Sequence, residues 1–206
     1  MPSIKNIIFD LGGVLLNIDY SKTIQAFEAL GHPQFEVQFS QTMASPLFED
    51  LETGRITTDD FLTHISARLN KTVTNQQIIT AWNAMILDFR TDCLPVLESL
   101  SRHYQLYLLS NTNIIHLKYF REIFTRDTGK PALEDYFIKA WYSHEIGLRK
   151  PHREIYEFAL KEGKMVAGET LFIDDLSQNI EGAKTLGIQT RLLQSGEGIA
   201  QVEIGN

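Results

Sequence analysis

The chain has 206 residues, is 43% hydrophobic and 22% charged, and carries a net charge of −7 at neutral pH, the proportions of a globular protein able to bury one core with an inserted lobe. An acidic balance without any basic run excludes a dedicated nucleic-acid surface, and the single cysteine, Cys93, excludes an internal disulfide and a multi-cysteine zinc site. No apolar run reaches the length of a membrane span, and the opening residues, interrupted by Asp10, make no signal peptide, so a cytoplasmic protein is expected.

The first element is the apolar strand Ile4–Asp10, which ends in a carboxylate and runs into Gly12 and Gly13. A carboxylate at the end of a buried strand costs solvation energy unless something uses it. In open α/β sheets that edge is where ligands bind. From about residue 21 to 89 the pattern turns helical, with no convincing strand. Ile24, Phe27 and Leu30 form one stripe. Thr58 precedes Asp59 and Asp60 at a helix start that continues through Phe61, Leu62, Ile65 and Leu69. Thr74 to Gln77 fits a capping box ahead of Ile78, Ile79, Trp82 and Ile86.

Beyond residue 90, strand and helix alternate. Pro95 sits in the first turn of a helix carrying Val96, Leu97 and Leu100. Strands are expected at Leu106–Ser110, Phe137–Trp141, Leu171–Asp174 and Ile188–Leu193. Helices are expected over Ile114–Phe124, from Pro151 onward with Ile155, Phe158 and Ala159 on one face, and around Ile180, Ala183 and Leu186. Gly187 would close the last as a left-handed cap. This order predicts an α/β fold, a doubly wound, mostly parallel five-stranded core with helices on both faces. Residues 1–18 and 90–206 would form the core, and residues 19–89 an inserted all-helical lobe over the strand ends.

Such a sheet brings strand-end acids from distant parts of the chain to one edge. Asp10 would meet the adjacent pair Asp174 and Asp175 there, an oxygen-rich site suited to a hard divalent cation. Ser110-Asn111-Thr112 ends another strand at a helix start, where a hydroxyl and free backbone N–H groups suit a phosphate. Arg149-Lys150-Pro151 sets a cation, Lys150, just ahead of a further helix.

Four segments, Phe9-Asp10-Leu11-Gly12-Gly13-Val14-Leu15, Leu109-Ser110-Asn111-Thr112, Arg149-Lys150-Pro151, and Phe172-Ile173-Asp174-Asp175 with Asn179 and Gly182, match one family in order and spacing. Over essentially the whole chain they resemble the haloacid dehalogenase superfamily of aspartate-nucleophile hydrolases. Their wording looks closest to the bacterial sugar-phosphate branch that includes α-D-glucose-1-phosphate phosphatases. The resemblance implies a Rossmann-like core with a helical cap, Mg²⁺ as cofactor and a small phosphorylated metabolite, a sugar phosphate, as substrate. Asp10 would be the nucleophile, forming an aspartyl-phosphate. Asp10, the carbonyl of Gly12 and Asp175 would bind the metal, with Asp174 acting through a metal-bound water. Ser110 and the N–H of Asn111 would hold phosphoryl oxygens, and Lys150 would neutralise both Asp10 and the phosphate. Asn179 would orient Asp175 or Lys150.

One position departs from the family pattern. Most phosphatases of this superfamily carry a second aspartate two residues after the nucleophile as general acid and base, and here that residue is Gly12. Its absence leaves three readings open: a phosphatase acting on a good leaving group with acid/base help from elsewhere, a slow enzyme whose substrate brings its own proton donor, or a degenerate member that binds a phosphorylated ligand without turnover. A dehalogenase would gain nothing from adjacent acids at 174 and 175. For the substrate, Asp19, Tyr20 and the loop Glu52-Thr53-Gly54-Arg55 are candidates, Arg55 for a second anionic group. His116, His144 and His152 read as surface or helix-capping groups.

Overall fold

The computed structural model describes residues 3–32, 35, 46–69, 72–194 and 196–201. Its centre is a parallel sheet of five strands, β1 (Asn6–Phe9), β4 (Gln105–Ser110), β5 (Lys139–Tyr142), β6 (Thr170–Asp174) and β7 (Gln189–Leu192), in the order β5-β4-β1-β6-β7. β1 lies in the middle, with Phe9 opposite Leu108 on one side and Ile173 on the other. Asp10, Ser110 and Asp174 therefore finish neighbouring strands at the same edge.

Alternation along the strands divides the core between the two faces. Ile7, Phe9, Leu106, Leu108, Leu171 and Ile173 face one layer, and Ile8, Tyr107, Leu109 and Phe172 the other. The first layer continues without a break into the inserted helices through Phe27, Phe48, Phe61 and Trp82. Those helices are α1 (Tyr20–Ala29), α2 (Pro46–Glu52), α3 (Thr58–Ser66) and α4 (Asn75–Asn83). Thr57 and Thr74 start α3 and α4 with reciprocal capping boxes to Asp60 and Gln77, so the helix expected from Thr58 begins as the sequence indicated. The core helices are α5 (Cys93–Leu100), α6 (Ile114–Thr128), the single turn α7 (Ser143–Ile146), α8 (Arg153–Glu162) and α9 (Ser177–Lys184).

Two expectations are corrected. The inserted region is not wholly helical: β3 (Ile86–Phe89) pairs antiparallel with β2 (Leu16–Ile18). This two-stranded ribbon forms where the chain leaves the sheet and where it returns. Ile86 continues the apolar stripe of α4, so a strand of four residues with a distant partner left no separate periodic signal. Pro151 does not open a helix. The Lys150–Pro151 peptide is cis, and α8 starts at Arg153 after His152, whose extended backbone supplies the N-terminal boundary.

Candidate active site

The loop after β1 owes its course to two glycines. Gly13 has φ +74, and a Cβ there would lie 2.2 Å from Asp175 Oδ2, so only glycine lets that carboxylate close on the loop. Gly12 has no such backbone requirement. A Cβ on it would instead lie 2.3 Å from Ile18 Cδ1, because the ribbon strand β2 lays Ile18 over the space a residue-12 side chain would fill.

Asp10, Asp174 and Asp175 each present an oxygen within 4.8 Å of the others. Lys150, almost wholly buried, bridges two of them: its Nζ is 2.7 Å from Asp10 Oδ1 and 2.8 Å from Asp174 Oδ2. The three acids are not equivalent. Asp174 is completely buried and accepts from Lys150 Nζ, the Leu176 N–H and both reaches of the Asn179 amide. Asn179 therefore braces Asp174, where the sequence assigned it to Asp175 or Lys150. Asp175 is only partly buried and stands over Gly13.

Charge in this cluster is short on the positive side. Burial raises Asp10 to about 8, with Lys150 pulling down and Asp174 and Asp175 pushing up. Burial, then Asp174, raises Asp175 to about 6 against the pull of Lys150. Burial works against the Lys150 ammonium, yet Asp10 and Asp174 outweigh it and raise its pKa. One lysine among three carboxylates leaves a demand for another cation.

The Asn111 side chain has a task beyond the one expected of its backbone N–H. Its side-chain amide donates to the Lys150 carbonyl at 2.8 Å and accepts from the Lys150 N–H at 2.8 Å, tying the end of β4 to the lysine loop. Ser110 is buried at the same edge. Asp10, Gly12, Ser110, Asn111, Lys150 and Asp175 all line one cavity of about 100 Å³, while Asp174 lies behind it. The opposite wall comes from the inserted helices and α6: Tyr20, Glu52, Trp82, Met85, Ile86, His116 and Phe120, with Arg149 beside Lys150.

The other sequence candidates separate cleanly. Tyr20 and Glu52 line the cavity. Asp19 does not; its carboxylate caps α1 by accepting from the Ser21 N–H and hydroxyl. Arg55 is more than half exposed and paired with Glu49 and Asp50. His116 is buried rather than superficial, stacked on Trp82 at 5.0 Å and bonded through Nδ1 to Asn83, and burial drives it down to about 3, so it is neutral. His144 is half-buried, with Nδ1 against the Thr112 carbonyl. Arg149, Trp82 and Ile18 were not legible as site residues. Trp82 carried only a core signal, and nothing in a linear pattern places Ile18 over Gly12.

Comparison with known proteins is consistent with this geometry. A family model described as haloacid dehalogenase-like hydrolase matches residues 7–193. The D-ribitol-5-phosphate phosphatase of Bacteroides thetaiotaomicron is 34% identical over 193 residues, covering 94% of this chain and 93% of its own. A haloacid dehalogenase family enzyme of the same organism, solved in complex with magnesium and inorganic phosphate, superposes with a TM-score of 0.87 at 36% identity, covering 96% of this chain and 98% of that one. A haloacid dehalogenase-like hydrolase from Porphyromonas gingivalis gives a TM-score of 0.85 at 34% identity, over 94% and 93% of the two chains.

Proposed function

The chain belongs to the haloacid dehalogenase-like hydrolases, and on that footing we propose that it is a Mg²⁺-dependent phosphatase of a small phosphorylated metabolite, a sugar or polyol phosphate, acting through an aspartyl-phosphate on Asp10. The observation that carries the proposal is the buried Lys150 held between Asp10 and Asp174 at the wall of the cavity that Ser110 and Asn111 share.

The donor set fits Mg²⁺. Three carboxylates gather within 4.8 Å with one lysine, Lys150, among them, which leaves negative charge for a divalent cation to offset. Asp10, the Gly12 carbonyl and Asp175 would hold the ion, with Asp174, saturated by protein donors, acting through water. Bound there, Mg²⁺ would offset the repulsion between these carboxylates and the phosphoryl group.

The residues of the chain divide the remaining work. Lys150 holds Asp10 in place and adds positive charge where the phosphoryl oxygens lie. The Ser110 hydroxyl and the Asn111 N–H receive those oxygens. An Asp10 oxygen bonds to phosphorus as the phosphorus–oxygen bond to the alcohol breaks, and the electron pair leaves with the alcohol oxygen. With Gly12 in place of an acid, that oxygen takes its proton from solvent. Water then attacks the aspartyl-phosphate, releasing inorganic phosphate and regenerating Asp10. Residues 19–89 act as a cap that supplies the far wall of the cavity and restricts solvent to the few waters the reaction uses.

A screen of phosphorylated metabolites with Mg²⁺ tests the proposal, with Asp10→Asn as control. The isosteric amide should fold normally and lose about 10³-fold or more of the rate. Hydrolysis within tenfold of the parent would remove Asp10 from the centre of the mechanism.

A further inference from the structure

Resting on the phosphatase reading, we propose that Glu52 and Arg149 form a hydroxyl-recognition pair that selects an uncharged polyol or sugar as the leaving group. Glu52 ends α2, Arg149 immediately precedes Lys150, and both line the cavity over Asp10. Glu52 Oε2 lies 2.9 Å from Arg149 Nη2 in an ion pair. That contact engages one lone pair of Oε2 and leaves another, and Arg149 Nε–H is a shielded donor with no acceptor. Burial pushes the Glu52 carboxyl up against the pull of Arg149.

A spare acceptor lone pair beside a free donor defines the group that completes them. A hydroxyl both donates and accepts through one oxygen, so it can donate to Oε2 and accept from Nε–H. A carbonyl only accepts. A second phosphate or carboxylate would meet the Glu52 charge, and an amine the Arg149 charge. Arg55, the remaining cation of this loop, is engaged with Glu49 and Asp50 on the surface. The walls of Trp82, Met85, Ile86 and Phe120 offer apolar faces to the carbon chain between hydroxyls.

The test compares kcat/KM for ribitol 5-phosphate with that for n-pentyl phosphate, which has the same chain length and a similarly basic leaving oxygen but no hydroxyls. 4-Nitrophenyl phosphate reports hydrolysis independently of either. The parent should favour the polyol phosphate by about 10²-fold or more, because the hydroxyl-free analogue leaves the Arg149 Nε–H unpaired and the spare lone pair of Glu52 Oε2 unused. Glu52→Gln should cut that preference by about 10-fold to 100-fold. Should Glu52→Gln fail to fold, Arg149→Lys, which keeps the charge and removes the Nε–H, reads the same ratio. A preference unchanged in the folded variant, or absent in a parent that hydrolyses the aryl phosphate, overturns the pair while leaving the phosphatase standing. A parent that hydrolyses none of the three overturns both.

Discussion

Burial, and Asp174 beside them, hold Asp10 at about 8 and Asp175 at about 6, whereas the proposed nucleophile and metal ligand must both be ionised. Asp174 has every oxygen engaged by protein donors. The asymmetry predicts the order of two substitutions. Asp175→Asn should weaken Mg²⁺ binding more than Asp174→Asn, by about tenfold or more in a calorimetric titration, with Asp174→Asn felt instead as lost stability because Lys150 loses a partner. The reverse order would move Asp174 into direct contact with the ion. The identities of these residues were legible in the sequence because strand-end acids in a parallel sheet converge. Their division of labour was not, since it depends on which carboxylate Asn179 and the Leu176 N–H reach.

At the scale of elements, the five core strands followed from their β-branched and aromatic runs, the start of α3 from Thr58 ahead of two acids, and the capping box of α4 from Thr74 with the amide three residues on. The β2–β3 ribbon escaped because each strand is a few residues long and neither pairs with a sequence neighbour. That ribbon determines the chemistry available at residue 12. Ile18 fills the place of the missing acid, so rates in the parent should depend steeply on leaving-group acidity, with aryl and anomeric phosphates cleaved fastest. Gly12→Asp combined with Ile18→Ala should flatten that dependence, raising primary alkyl phosphate hydrolysis by about 10²-fold or more relative to aryl. Gly12→Asp alone should gain less and melt lower, the new Cβ having to displace Ile18. An unchanged aryl-to-alkyl ratio in the double variant would show that proton supply does not limit the reaction.

For the molecule as a whole, the raised carboxyls tie stability to pH and to metal. A folded-state pKa above the unfolded value means that the native protein keeps protons the unfolded chain has released, so native stability falls as pH rises through that interval. For Asp10 the interval runs from the ordinary carboxylate range to about 8, and for Asp175 to about 6. Metal-free protein should therefore melt lower at pH 8 than at pH 5.5. Stabilisation by Mg²⁺ should grow over the same range, because fewer protons compete for the ligands. Melting curves with Mg²⁺ and with chelator at both pH values check this. A metal increment that is equal or larger at pH 5.5 would contradict it. Among the described residues no helix is long and apolar enough to cross a membrane, in keeping with composition. The cavity wall, by contrast, assembles Tyr20, Glu52, Trp82 and Arg149 from four separated segments; Tyr20 and Glu52 were candidates from their place in the sequence, whereas no linear pattern brings Trp82 and Arg149 to them.

The paired hydrogen bonds between the Asn111 amide and the Lys150 backbone have a kinetic meaning. A lysine on an ordinary loop samples many rotamers, and binding an anion must arrest them each time. Here the loop is clipped to the carboxyl end of β4, and the ammonium is seated between two carboxylates before any substrate arrives. The ordering occurs once, during folding, and is not repeated at every encounter. Turnover thus begins from an electrostatic field already assembled.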